Sequence, residues 1–112
     1  MIRRGEIYLV NLPAGRRGEQ GGSRPAVIIQ NDTGNQFSET TIVASMTSRV
    51  TDYKFHVRVS SRDSGLDRDS IVMLEQIRTI SQARLGRRVG RLTPAVMQEV
   101  DRALHYSLGL VD

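Results

Sequence analysis

Apolar and polar positions change period once along the chain. Residues 5–12, GEIYLVNL, have strand composition, with Ile7 and Leu9 alternating against Tyr8 and Val10. AVIIQ, residues 26–30, is a short apolar run of the kind found in buried strands, and TTIVASMTS, residues 40–48, is β-branched and alternates at its end. KFHVRVS, residues 54–60, sets Phe55, Val57 and Val59 on one face against Lys54, His56 and Arg58 on the other. SIVMLEQIRTI, residues 70–80, fits one long bent strand or two shorter ones. Turn-rich segments separate these runs: PAGRRGEQGG, NDTGN and SSRDSGLDRDS. Short strands at this spacing predict a small barrel or sandwich. After Thr93 the period becomes helical. Thr93 is a hydroxyl N-cap, Pro94 occupies the first turn where its missing N–H costs nothing, and Val96, Val100, Ala103, Leu104 and Leu108 recur on one face before Gly109. The expected architecture is mainly β with one C-terminal helix of about four turns packed on the sheet.

Length fits one domain spanning residues 1–112, with neither repeats nor a linker, and a chain of this size buries roughly two-thirds of its unfolded surface. Cysteine is absent, which excludes disulfides, thiolate metal sites and thiol nucleophiles. The start, MIRRGEIYLVNLP, lacks the apolar length and cleavage site of a signal peptide, and no stretch reaches transmembrane length. A cytoplasmic protein without membrane contact is expected. The net charge is +4 and the pI about 10.3, and the cations are nearly all arginine, with Lys54 the sole lysine. Arginine's planar fork suits phosphate oxygens, so charge brings a polyanionic partner into view; arginine in place of lysine on an ordinary surface explains it equally.

Candidate chemistry is sparse. His56 and His105 stand far apart and outside any metal-ligand spacing, so neither a metal nor a cofactor is expected. His105 lies four residues after Asp101 on the predicted helix, a solvated contact, while His56, with Lys54 and Arg58, is placed to line a nucleic-acid surface. Asp63, Asp67 and Asp69 sit in a turn that reads as a capped, solvated loop. No G-x-S-x-G elbow occurs, and the glycine-rich loop does not open a helix as a dinucleotide site would. What remains is EQGGSRPAVIIQND, residues 19–32. Its glycines give a loop that can approach a ligand, and Pro25 fixes the backbone behind Arg24 and biases that residue towards an extended conformation. An arginine so placed is a pre-aimed anion fork, or else the partner of Glu19 or Asp32 in a salt bridge at a sheet edge.

Taken together, RRGEIYLVNL, EQGGSRPAVIIQND, TTIVASMTS, RDSIVMLEQIRTI and VDRALHYSLGL resemble the successive motifs of the MazF/PemK (Kid) toxin family over nearly the whole chain. The resemblance implies an SH3-like β-barrel with a C-terminal helix, assembled as a homodimer. It also implies a ribosome-independent, sequence-specific endoribonuclease paired with an antitoxin that carries an acidic, partly disordered segment. Such enzymes cut single-stranded RNA without metal, using the RNA's 2′-hydroxyl, and leave a 2′,3′-cyclic phosphate and a 5′-hydroxyl. Arg24 matches the family's catalytic arginine, with a share of the acid–base work, and Thr47 matches its catalytic threonine. By the same resemblance Glu19, Gln20, Gly21, Gly22 and Ser23 form a loop over the RNA, and Asn31, Ser70, Gln76 and Arg78 offer groups to unstacked base edges. Arg16, Arg17, Arg87, Arg88 and Arg91 are phosphate contacts or plain surface. Two other functions share these features. A CcdB-like gyrase poison relies on a tryptophan near the C-terminus, whereas this chain has none and ends SLGLVD. A non-catalytic RNA-binding barrel follows if Arg24 is only structural.

Overall fold

The structure, a computed structural model, describes residues 1–13, 15–19 and 21–111. Among them six strands form one antiparallel sheet: β1 (Glu6–Leu12), β2 (Gly22–Ile28), β3 (Thr40–Thr47), β4 (His56–Val59), β5 (Ser70–Ser81) and β6 (Leu85–Arg91), in the order β4-β5-β3-β2-β1-β6. Two short helices, α1 (Asp32–Phe37) and α2 (Ser61–Ser64), and a 3-10 turn at Gln82–Arg84 lie in the connections; α3 (Pro94–Ser107) ends the fold. The mainly β architecture with a C-terminal helix is as expected. No helix among the described residues is long and apolar enough to cross a membrane.

Alternation along the strands feeds two apolar clusters, one per face. Ile7, Val27, Ala44, Met46, Val57, Val59, Val72 and Leu74 meet the stripe Val96, Val100 and Ala103 of α3. Val10, Leu12, Ala26, Ile28, Val43 and Ile80 form the second cluster, with Tyr8 packed against it. Period two therefore divides β1 at Ile7 and Val10, and Tyr8 belongs to a buried face. In α3 the Thr93 side chain accepts the N–H of Val96 at 3.2 Å, Pro94 stands in the first turn, and Gly109 has φ 74°, a left-handed value suited to a residue that follows a helix. Leu108, expected on the stripe, caps the helix and is exposed.

Three elements depart from the pattern. β2 begins at Gly22, so Arg24 and Pro25 lie inside a strand instead of in front of it. NDTGN contributes to α1, whose N-cap Asn31 accepts the Gly34 N–H at 2.7 Å. β6, LGRRVGR, has too few apolar positions to announce a strand; it forms because it pairs with β1, through two register shifts.

β5 is one strand with a deep irregularity. Its register with β3 runs Ala44↔Ile77 and then Met46↔Val72, so residues 73–76 stand opposite Ser45 alone. Such a bulge bends the strand and re-aims its side chains. The bend accompanies an approach of the two sheet edges: Gly90 of the edge strand β6 lies hard against the Ser64 carbonyl of α2, which follows the other edge strand, β4. A Cβ on Gly90 would overlap that oxygen. Gly90→Ala should therefore cost about 1–3 kcal/mol, the range for overpacking. The melting temperature should fall by roughly 5–15 °C on that basis. Thermal unfolding followed by circular dichroism checks this, and an unchanged midpoint would mean that the approach does not hold the fold.

Candidate active site

β2 lies between β1 and β3, and its two ladders differ in length. With β1 it pairs from Leu12↔Gly22 to Ile7↔Val27, with Val10↔Arg24 and Leu9↔Pro25 between. With β3 it pairs only at Ala26↔Ser45, Val27↔Ala44 and Ile28↔Val43. Pro25 has no N–H to give, and the ladder with β3 ends one residue after it. Continuing that register by two residues sets Arg24 across from Thr47, where the strands have separated.

Arg24 bridges this opening. Its Nε donates to the Gly21 carbonyl at 3.2 Å, and Nη1 donates to the Met46 carbonyl at 3.5 Å. Neither expected carboxylate partner is used. Glu19 accepts the Arg16 N–H at 3.0 Å, and Asp32 accepts the Arg4 N–H at 2.7 Å; that bond, above all, holds the Asp32 carboxyl below its ordinary pKa. Arg24 is thus oriented by backbone dipoles, with no ion pair among the described residues. Thr47 Oγ1 accepts the Arg49 N–H at 3.2 Å, which leaves the hydroxyl hydrogen to donate elsewhere.

Both side chains line a cavity of about 620 Å³, together with Ser70, Asp67, Arg68 and Arg87. Arg24, Arg68 and Arg87 form no ion pair among the described residues, and Asp67 is the only acid in the described lining. A pocket with three unneutralised guanidinium groups in its walls favours an anion. The described residues contain no cluster of three or more groups that could hold a metal ion. Sequence reasoning missed Arg68 and left Arg87 undecided, because only the folding of α2 and β6 toward β2 brings them to Arg24.

A second cavity, of about 450 Å³, gathers Glu19, Gln76 and Arg78 from the expected set and adds Arg17, Ser45 and Glu75. Gln76 Nε2 donates to the Gly18 carbonyl at 3.0 Å and fastens the first loop to β5. Gly21, Gly22 and Ser23 continue that loop into β2, with Gly22 at φ 87°. Gln20 lies outside the described residues.

Two expected site residues are employed elsewhere. Asn31 follows the far end of β2 and spends its side-chain oxygen on the α1 cap. The His56 side chain is only 6% exposed. Its Nδ1 lies 2.6 Å from Thr51 Oγ1 and its Nε2 2.9 Å from Glu75 Oε2, with Phe55 and Tyr53 edge-on. An aromatic ring on a nominally polar face finds shelter there, so His56 braces Glu75 and presents little surface of its own. His105 Nδ1 meets the Asp101 backbone carbonyl at 2.7 Å, whereas the Asp101 carboxylate pairs with Arg4 at 2.7 Å. In the SSRDSGLDRDS segment Ser60 caps α2, and Asp69 accepts the Ser61 N–H.

A family model for the PemK-like, MazF-like toxin of type II toxin–antitoxin systems matches residues 3–108. An endoribonuclease in complex with its cognate antitoxin, from a mycobacterial species, superposes with a TM-score of 0.86 at 25% identity, covering all 100% of this chain and 99% of its own. The Mycobacterium tuberculosis toxin MazF-mt6 gives 0.81 at 22% identity, with 96% of this chain and 99% of its own covered. A MazE–MazF complex from Deinococcus radiodurans gives 0.77 at 23%, covering 98% and 97%. The latter two speak to the fold, and the family match spans the strands, the Arg24 cavity and α3. The chain belongs to the family of PemK-like, MazF-like toxins of type II toxin–antitoxin systems.

Proposed function

We propose that this chain is a sequence-specific, ribosome-independent endoribonuclease that cleaves single-stranded RNA by transesterification, with Arg24 and Thr47 at the scissile phosphate. The observation that carries this is the Arg24 guanidinium, oriented by two backbone carbonyls, free of any carboxylate among the described residues, and facing a cavity with the Thr47 hydroxyl across it. In the reaction the ribose 2′-oxygen attacks phosphorus in line and loses its proton. The bond to the 5′-oxygen breaks, and that oxygen gains a proton. The products are a 2′,3′-cyclic phosphate and a 5′-hydroxyl. Negative charge builds on the non-bridging oxygens in the transition state, so fixed donors there lower the barrier most. Arg24 supplies a charged fork and Thr47 a neutral hydrogen bond. A guanidinium holds its proton far above neutral pH and makes a poor base, so the part of Arg24 is stabilisation of charge. Arg68 and Arg87, exposed at the cavity rim, hold the flanking phosphates.

The chain acts as a homodimer of single-domain protomers in the cytoplasm. Its activity is held in check by an antitoxin whose acidic, disordered segment covers the basic cavity; the presence of an antitoxin partner, though not its mode of binding, is supported by the toxin–antitoxin complexes among the structural neighbours. No feature favours gyrase binding over RNA.

Arg24→Ala should lower the cleavage rate by on the order of 10²-fold or more, the scale of losing one oriented donor. Arg24→Lys should recover little, since an ammonium cannot reproduce directed bonds. Thr47→Val should also slow cleavage. In all three variants stability should change by only about 1 kcal/mol. Single-turnover cleavage of a defined RNA, with melting curves on the same samples, measures both. A binding-only barrel predicts that no variant alters product, because none forms. Cleavage should continue undiminished in EDTA, read by the same assay; activity that returns only with added Mg²⁺ or Mn²⁺ would contradict the chemistry.

A further inference from the structure

Glu75 stands on a stretch of β5 that neither neighbouring ladder holds. On the β3 side residues 73–76 lie opposite Ser45 alone. On the β4 side the ladder ends at His56↔Met73, extended only by the Leu74 N–H, which donates to the Phe55 carbonyl at 2.9 Å. A long, rotamer-rich side chain on such a backbone is costly to order. The Glu75 carboxylate is nevertheless fixed. Met73 is directly across from His56, and Glu75 is two residues on, so His56 and Glu75 are diagonal neighbours. His56 Nε2 lies 3.0 Å from Oε1 and 2.9 Å from Oε2, and one ring nitrogen thus spans both carboxylate oxygens.

The ring is itself held. Its side chain is buried, whereas that of Glu75 reaches solvent at 36% exposure. Nδ1 lies 2.6 Å from Thr51 Oγ1. An ionised carboxylate only accepts, so Nε2 carries a hydrogen. Nδ1 of the neutral ring then accepts the Thr51 hydroxyl, and Nδ1–H of the charged ring donates to the same oxygen. Thr51 serves both forms, so the brace does not depend on the charge of the ring. Thr51 belongs to the loop that leaves β3 after Thr47, and the series Thr51–His56–Glu75 ties that loop to the β5 bulge. Packing against Tyr53 and Phe55 would be met by a phenylalanine; the two nitrogens do something more.

We propose that His56 is a positioning residue for RNA binding: it holds the Glu75 carboxylate ready for a hydrogen-bond donor on the RNA. The assignment rests on the RNA-cleaving function above. Glu75 lines the second cavity, and Ser45, in the same wall, pairs with Ala26, two residues from Arg24 along β2. An RNA strand gripped at Arg24 therefore has Glu75 close to its path. An unbraced glutamate loses its rotamer freedom when it meets the RNA, whereas a braced one has lost it on folding. That ordering serves the bound substrate and the transition state equally, so its absence shows in KM and not in kcat.

The test is steady-state cleavage of one defined RNA by wild type, His56→Phe, Glu75→Ala and the double variant, with a melting curve for each. His56→Phe keeps a ring against Tyr53 and Phe55 and deletes both hydrogen bonds. It should raise KM about 3–10-fold with kcat unchanged, the scale of ordering one long side chain. Glu75→Ala should raise KM at least as much. In the double variant KM should equal that of Glu75→Ala, because His56 acts only through the carboxylate. His56→Gln, whose amide N–H takes the place of the ring Nε2–H, should restore most of the wild-type KM. Should His56→Phe fail to fold, Thr51→Val frees the ring at Nδ1 with little change of shape, and it should raise KM in the same Glu75-dependent way. A His56→Phe loss that multiplies with that of Glu75→Ala, or an unchanged KM in either single variant, would overturn the positioning role and leave the cleaving function standing. A wild-type chain that cuts no RNA would overturn both.

Discussion

Everything at the site follows from where the hydrogen-bonded ladder between β2 and β3 stops. A proline inside a central strand has no amide proton, and here the loss falls at Pro25, next to the last paired residue, Ala26. Beyond it β3 separates from β2 while β1 keeps β2 in register as far as Gly22. Arg24 thus hangs from a well-supported backbone into a gap. Its long side chain partly fills that gap by donating to the Met46 carbonyl, an acceptor that strand pairing has left available. The β5 bulge opposite Ser45 opens the adjoining space in the same way. Two interruptions in one sheet, one in each of the ladders that flank β3, accompany the two cavities.

The arginines divide by what neutralises them. Arg4 pairs with Asp101 and donates to the Ile29 carbonyl, tying the N-terminus to α3. Arg88 pairs with Glu6, whose buried carboxylate also accepts from the Arg3 N–H and the Tyr8 hydroxyl. Burial pushes the Tyr8 phenol above its ordinary pKa, and the Glu6 charge adds to the effect. These are fold-supporting contacts. Arg24, Arg68 and Arg87 belong to the other group, with no acid paired to any of them among the described residues and a cavity between them. A net charge of +4 says little by itself; the concentration of unpaired cations at a strand gap says where a polyanion meets the protein.

The sequence made α3 legible because cap, proline, apolar stripe and terminal glycine agree with one another, and β1, β3 and β5 because their apolar runs reach two buried faces. It hid β6, which is held by pairing with β1 and not by its own apolar pattern, and α1, whose Gly34 disguises a capped helix as a turn. Family motifs single out Arg24 and Thr47; the residues around Arg24, taken without the family, suit a salt bridge slightly better than an anion fork. His56 was misplaced because alternation assigns a face but not its depth, and the ring is sheltered by Tyr53, Phe55 and Glu75.

The central claim is that Arg24 meets charge that develops in the transition state, and the most direct measurement compares two affinities in wild type and Arg24→Ala. One ligand is a cleavage-resistant RNA bearing a 2′-deoxy sugar at the cut; the other is a nucleoside–vanadate complex that mimics the five-coordinate phosphorus. Complementarity to the transition state predicts that the variant loses on the order of 10²-fold for the vanadate complex and only a few-fold for the RNA. Equal losses for both would mean that Arg24 merely binds a phosphate, and no loss for the vanadate complex would remove it from the reaction.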